Sequence, residues 1–169
     1  MRIQLLAAAA LAAALVLGGV AQAQQAPAPA APAPPPPYGA PITLAQAKRV
    51  AAAAAAEARK LGVTEAIAIV EPNGALVYFE RFDGISYGPL HLAVRKAETA
   101  ARFRRPTQAF EERLAAGAYP VLGLEGVLPI GGGLPIVVKG KIIGAIGVGG
   151  APVSAPDNQV AKAGVDAIE

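Results

Sequence analysis

The sequence predicts an α+β domain built on an antiparallel sheet, and three observations predict it. Two pairs of short apolar runs are each joined by a tight turn, one at Pro72-Asn73-Gly74 and one at Lys139-Gly140. Stretches with helical periodicity precede, separate and follow these pairs. Strands joined by local hairpins run antiparallel, whereas a doubly wound sheet needs a crossover helix between strands.

Taken in order, Thr43-Leu44-Ala45-Gln46 is a capping box, in which the hydroxyl caps the first turn and Gln46 reaches back. The helix it opens extends to about Lys60 and stops at Gly62, with Leu44, Ala47, Ala51, Ala54, Ala58 and Leu61 as its apolar stripe. Ala66 to Val70 reads as a strand and Ala75 to Phe82 as its return. A second helix is predicted from about Pro89 to Phe103. Its Leu90, Ala93, Val94, Ala97 and Ala101 face one way, and His91, Arg95, Glu98 and Arg102 the other. Pro106 ends it, and Thr107 is placed to cap a short helix through Leu114 that closes at Gly117. A glycine-rich loop, with a further strand expected near Leu128, leads to the second hairpin. Asp157 to Ile168 reads as the last helix, with Ala161, Val165 and Ile168 inward.

Five glycines fall between Gly140 and Gly150 in a segment otherwise rich in Ile and Val. Glycine weakens a strand, so its repeated use points to close approach by another backbone or by a ligand. It does not point to a nucleotide. Gly140-Lys141 is followed by Ile142 inside a hairpin, and Pro152 stands where a dinucleotide fingerprint needs its third glycine.

The amino-terminal end reads as an export signal rather than as part of the fold. Arg2, an apolar run from Leu5 to Val20 and the small-residue pattern Ala21-Gln22-Ala23 make residues 1–23 a signal peptide cleaved after Ala23. No basic stop-transfer cluster follows, so stable membrane insertion after cleavage is not expected, and the location is periplasmic or secreted. Residues 24–41 are nearly all Ala, Pro and Gln, a composition that favours a disordered, extended linker. The folded domain is then residues 42–169. It has no cysteine, so neither disulfides nor thiol chemistry are available, and packing or homo-oligomer formation must supply stability. Without Arg2 the chain has 14 basic and 12 acidic residues, too even a balance to suggest nucleic acid.

Catalytic groups are few. His91 is the sole histidine, which excludes a two-histidine metal site, and the two serines, Ser86 and Ser154, lie outside any nucleophile elbow. Glu111 and Glu112 diverge by about 100° on a helix, the pattern of an exposed face. His91 reads either as a solvated or interface histidine or as an axial haem ligand, the metal-binding candidate; Tyr78, Tyr87 and Tyr119 are alternative oxygen donors. Arg95, Lys96, Arg102, Arg104, Arg105 and Arg113 form a basic cluster within nineteen residues. It can serve as a solvated face, or it can bind carboxylates such as haem propionates or a small organic acid.

Several fragments resemble the GlcG/HbpS family in order and spacing. They are Lys96-Ala97-Glu98-Thr99-Ala100, Phe103, Arg105-Pro106-Thr107, Gly131-Gly132-Gly133-x-Pro135-Ile136 and Gly144-Ala145-Ile146-Gly147-Val148-x-Gly150. The Leu44-Ala45-Gln46-Ala47 start and Asp157 extend the resemblance over the whole domain. It implies a profilin-like α/β/α domain, usually oligomeric, in a family of which some members bind haem and one exported branch is linked to haem degradation and redox sensing. It also makes Thr99 and Thr107 candidates to line a site within the Lys96-to-Thr107 segment. The expected function is an exported haem-binding protein, whose haem-dependent redox or haem-degrading activity is left open, with haem as cofactor held by His91, Arg95, Lys96, Thr99, Arg105 and Thr107. The alternative is a non-catalytic module that binds a small carboxylate or assembles with its own copies.

Overall fold

The computed structural model describes residues 34–168; the expected signal peptide and most of the linker lie outside them. Helix α1 (Leu44–Leu61) opens on the predicted capping box, with Gln46 N–H donating to Thr43 Oγ1 and Thr43 N–H to Gln46 Oε1. Gly62 closes it at φ 69°, a left-handed conformation that favours glycine. Strands β1 (Ala66–Val70) and β2 (Leu76–Arg81) form the first hairpin. Helices α2 (Gly88–Phe103) and α3 (Gln108–Ala115) follow, and then a short 3-10 turn at Tyr119–Gly123. Strands β3 (Gly133–Val138) and β4 (Lys141–Gly149) form the second hairpin, and α4 (Ser154–Asp166) completes the fold.

The sheet order is β2-β1-β4-β3, antiparallel throughout. Its two faces differ in side-chain size. Ile67, Ile69, Ile136, Ile146 and Val148 pack against the alanine stripe of α1 and against Val160, Ala161 and Val165 of α4. Ala66, Ala68, Val70 and Ala145 meet α2 through Ala93, Ala97, Ala100 and Ala101. Small residues on both sides of this second interface let α2 lie close to the sheet. The glycines follow from that closeness. A Cβ on Gly147 would strike the backbone of α2 at Ala93 O and Ala97 N, and one on Gly133 would strike Lys96 O. Of the two reasons for glycine, the backbone approach is the one these positions show.

Gly147→Ala is therefore expected to force α2 off the sheet and to destabilise by at least about 1–3 kcal/mol. Gly123→Ala, where no atom lies within 4 Å of the added carbon, is the near-neutral control. Urea unfolding of both variants provides the measurement, and equal midpoints would contradict this account.

Four details depart from expectation. No strand forms near Leu128; its N–H donates to Thr99 Oγ1 at 3.0 Å instead of to a sheet. Thr107 does not cap α3 with its side chain, because its hydroxyl is committed to Gly133. The last helix begins at Ser154 and ends at Asp166, leaving Ile168 packed beyond its end. The fold also begins before Ile42. Pro37 O accepts from Ile142 N–H at 2.9 Å and Gly39 N–H donates to Ile142 O at 2.8 Å. This segment pairs in parallel with β4 beyond the end of β1, and Tyr38 Oη donates to Ala101 O at 2.9 Å. The end of the 24–41 stretch is thus docked rather than linker, because β4 offers it an unused backbone edge.

Candidate functional site

The first half of α2, the start of α4 and the two loops flanking the second hairpin enclose a cavity of about 610 Å³. Pro89, Leu92, Ile130 and Val153 give it apolar walls. Its polar groups are Lys96, Glu111, Ser154 and Asp157, contributed by three different helices. This volume and this mixture of apolar wall with a few convergent polar groups are those of a small-molecule site. Among the described residues, no group of three His, Cys, Asp or Glu side chains is placed to hold a metal ion.

The cavity floor is a buried charge cluster. Lys96, 1% exposed, donates from Nζ to Asp157 Oδ2 at 2.5 Å and to Val148 O at 2.9 Å. Asp157 Oδ1 accepts from Ala151 N–H at 3.2 Å. Behind Gly150 lies Glu65, fully buried, with no donor for either carboxylate oxygen. The absence of a side chain at Gly150 makes this possible, since a Cβ there would meet Glu65 Oε2. Burial, and then the charge of Asp157, push the Glu65 carboxyl up to about 8. Burial also raises Asp157, against the opposing effect of Lys96. Glu65 therefore faces Asp157 and the Lys96–Asp157 ion pair as a neutral carboxyl group at neutral pH.

Higher in the cavity, Glu111 accepts from Ser154 Oγ at 2.8 Å and from Gly131 N–H at 3.2 Å. Its negative charge sits beside the amino-terminal turn of α4, where the helix dipole favours an anion. The Glu111-Glu112 pair is accordingly divided. Glu112 faces outward and accepts from Gln108 at 2.8 Å, as expected of an exposed face, whereas Glu111 does not.

The structure separates the residues expected to act together. His91 and Arg95 are exposed on α2, on the helical stripe next to the one formed by the cavity residues Leu92 and Lys96. Arg105 is exposed past the far end of α2, with its guanidinium 5.8 Å from the Phe110 ring centre. Thr99 and Thr107 are buried and bound to backbone. Thr99 Oγ1 donates to Arg95 O at 2.8 Å and accepts from Leu128 N–H, while Thr107 Oγ1 accepts from Gly133 N–H at 2.9 Å. These hydroxyls fix loops rather than line the cavity. Of the six, only Lys96 lies in its wall. Of the tyrosines, Tyr87 and Tyr119 are exposed and Tyr78 is half-buried beside Glu80. Glu65, Asp157 and Ser154 were not singled out by sequence chemistry. A lone Glu before an all-apolar strand was the available signal for Glu65.

Residues 42–166 match the family described as haem degrading protein HbpS-like. Protein GlcG of Escherichia coli K12 is 37% identical over 92 residues, covering 54% of this chain and 69% of that protein. An uncharacterised 15.0 kDa protein from the dhaT-dhaS intergenic region of Citrobacter freundii is 33% identical, covering 74% of this chain and 90% of its own length. The crystal structure of HbpS superposes with a TM-score of 0.71 at 35% identity, covering 78% of this chain and 92% of that one. A PduOC–haem complex shares the fold, with a TM-score of 0.68 at 22% identity over 76% and 96% of the two chains.

Proposed function

We propose, because this chain belongs to the HbpS-like family of haem-degrading proteins, that it is an exported protein that binds haem at the cavity beside α2. The observation that carries this reading is the family match over residues 42–166, which hold an apolar-walled cavity of about 610 Å³. Pro89, Leu92, Ile130 and Val153 fit the face of a flat macrocycle. The lining includes no His, Tyr or Met, so an axial donor must come from the rim. His91, on the neighbouring helical stripe, is that donor, and Arg95 one turn onward is placed to pair with a propionate. Bound haem would supply one-electron and oxygen chemistry. The chain would supply orientation, partial exclusion of water and the buried proton of Glu65. Export through residues 1–23 and assembly with further copies complete the reading.

Haem titration of the full chain is expected to give a saturable, stoichiometric change in the Soret band. His91→Ala is expected to keep binding and alter the coordination spectrum. An unchanged spectrum would remove His91 as ligand. No saturable binding by the wild type would reject haem as the ligand.

A further inference from the structure

We propose that Lys96, Asp157 and Glu65 form a carboxyl-recognition site at the cavity floor, which takes the carboxyl group of a free small acid or of a haem propionate. The first observation is an unused donor. An ammonium has three N–H groups, and only two of those on Lys96 end on protein acceptors, Val148 O and Asp157 Oδ2. Lys96 lines the cavity with a side chain only 2% exposed, so a ligand oxygen that takes its third donor must enter the cavity floor. The second observation is the orphaned carboxyl of Glu65, fully buried and facing Asp157 instead of a donor. Two acids share one base here. With a proton on Glu65 the three groups are neutral, and Lys96 can accept an anionic partner. With Glu65 ionised they carry a net negative charge that repels it.

The other charged group of the cavity does not take over this role. Glu111 is held by the Ser154 hydroxyl, by Gly131 N–H and by the end of α4. Lys96 is therefore the floor's donor to a ligand, and Glu65 is a positioning residue that acts through Asp157. The apolar walls add a preference for a carboxyl group on a short hydrocarbon chain. The haem-propionate source rests on the function proposed above; the free-acid source does not.

Titrating the full chain with butyrate tests the site. Butyrate is expected to bind saturably at neutral pH, with n-butanol not binding. Its affinity should hold steady up to about pH 8 and then weaken by about tenfold per pH unit, as Glu65 ionises. Glu65→Gln should bind butyrate at neutral pH and lose that weakening. A Lys96→Met/Asp157→Asn double variant, which removes both members of the ion pair, should fold and lose butyrate. Independently of any ligand, the infrared band of a buried protonated carboxyl should be present in the wild type and absent from Glu65→Gln. Competition identifies the source. Displacement of butyrate by haem but not by its dimethyl ester assigns the site to a propionate, and no displacement by either assigns it to a free acid. Failure of butyrate to bind at neutral pH, or identical pH profiles for wild type and Glu65→Gln, would overturn the proposal. Failure to bind haem would reject only the function proposed above.

Discussion

Lys96→Met is expected to destabilise the fold by about 3–5 kcal/mol, because it leaves Asp157 buried without its counter-charge. Both partners are almost fully buried, and the pair joins α2 to α4 across the end of the sheet. The attraction itself contributes less than this figure, since burying both ions costs most of what their attraction returns. The double variant Lys96→Met/Asp157→Asn separates the two effects. It removes the charges together and should recover much of the loss, whereas additive losses would mean that each side chain acts through packing alone. Urea unfolding of the two single variants and the double variant closes the cycle. A single-variant loss below about 1 kcal/mol, the range of an exposed pair, would contradict the burial seen here.

The same pair shows where the sequence is legible and where it is not. Local signals with a local cause were readable. Thr43 and Gln46 satisfy each other three residues apart, and the Lys139-Gly140 turn joins its own neighbours. The turn's conformation also agrees with its chemistry: Lys139 and Gly140 have φ of 50° and 74°, as in the tight turns that suit strand twist. Lys96 was not readable in this way. It belongs to a run of basic residues, most of them exposed, and its partner lies 61 positions away. Helical periodicity placed the sheet-facing alanines of α2 but could not show that Asp157, at the start of α4, reaches Lys96 on the adjoining stripe.

The glycines illustrate the intermediate case. Their number in β4 signalled close approach, but periodicity alone could not say whether a backbone or a ligand approached. Gly147 faces the backbone of α2, while Gly150 admits the carboxylate of Glu65. One residue type thus serves packing at one position and the candidate site three positions later. Thr99 and Thr107 are a related case, since both hydroxyls are bonded to backbone groups. Their place within the family resemblance is explained by the backbone groups they hold, at the 126–128 loop and at Gly133. A polar residue that satisfies buried backbone is as constrained as one that touches a ligand.

Glu65→Gln is expected to stabilise the protein at mildly alkaline pH and to flatten its stability across the range from about pH 4.5 to about pH 8. The sign follows from proton binding. In the unfolded chain this carboxyl titrates at its ordinary value, while in the fold it holds its proton up to about 8. Between these values the native state binds more protons, so stability falls as pH rises, by at most about 1.4 kcal/mol per unit for one group. The contribution is fully present below the unfolded value and is lost as pH passes through the folded one. Asp157, also raised, acts in the same direction. Glutamine keeps the shape of the side chain and can donate an N–H to Asp157, but it cannot ionise. Urea unfolding at intervals across this range should give a falling profile for the wild type and a flatter one for Glu65→Gln. Parallel profiles would mean that Glu65 ionises normally in the fold, and the buried acid would then have to be satisfied by a donor that enters the cluster from the cavity.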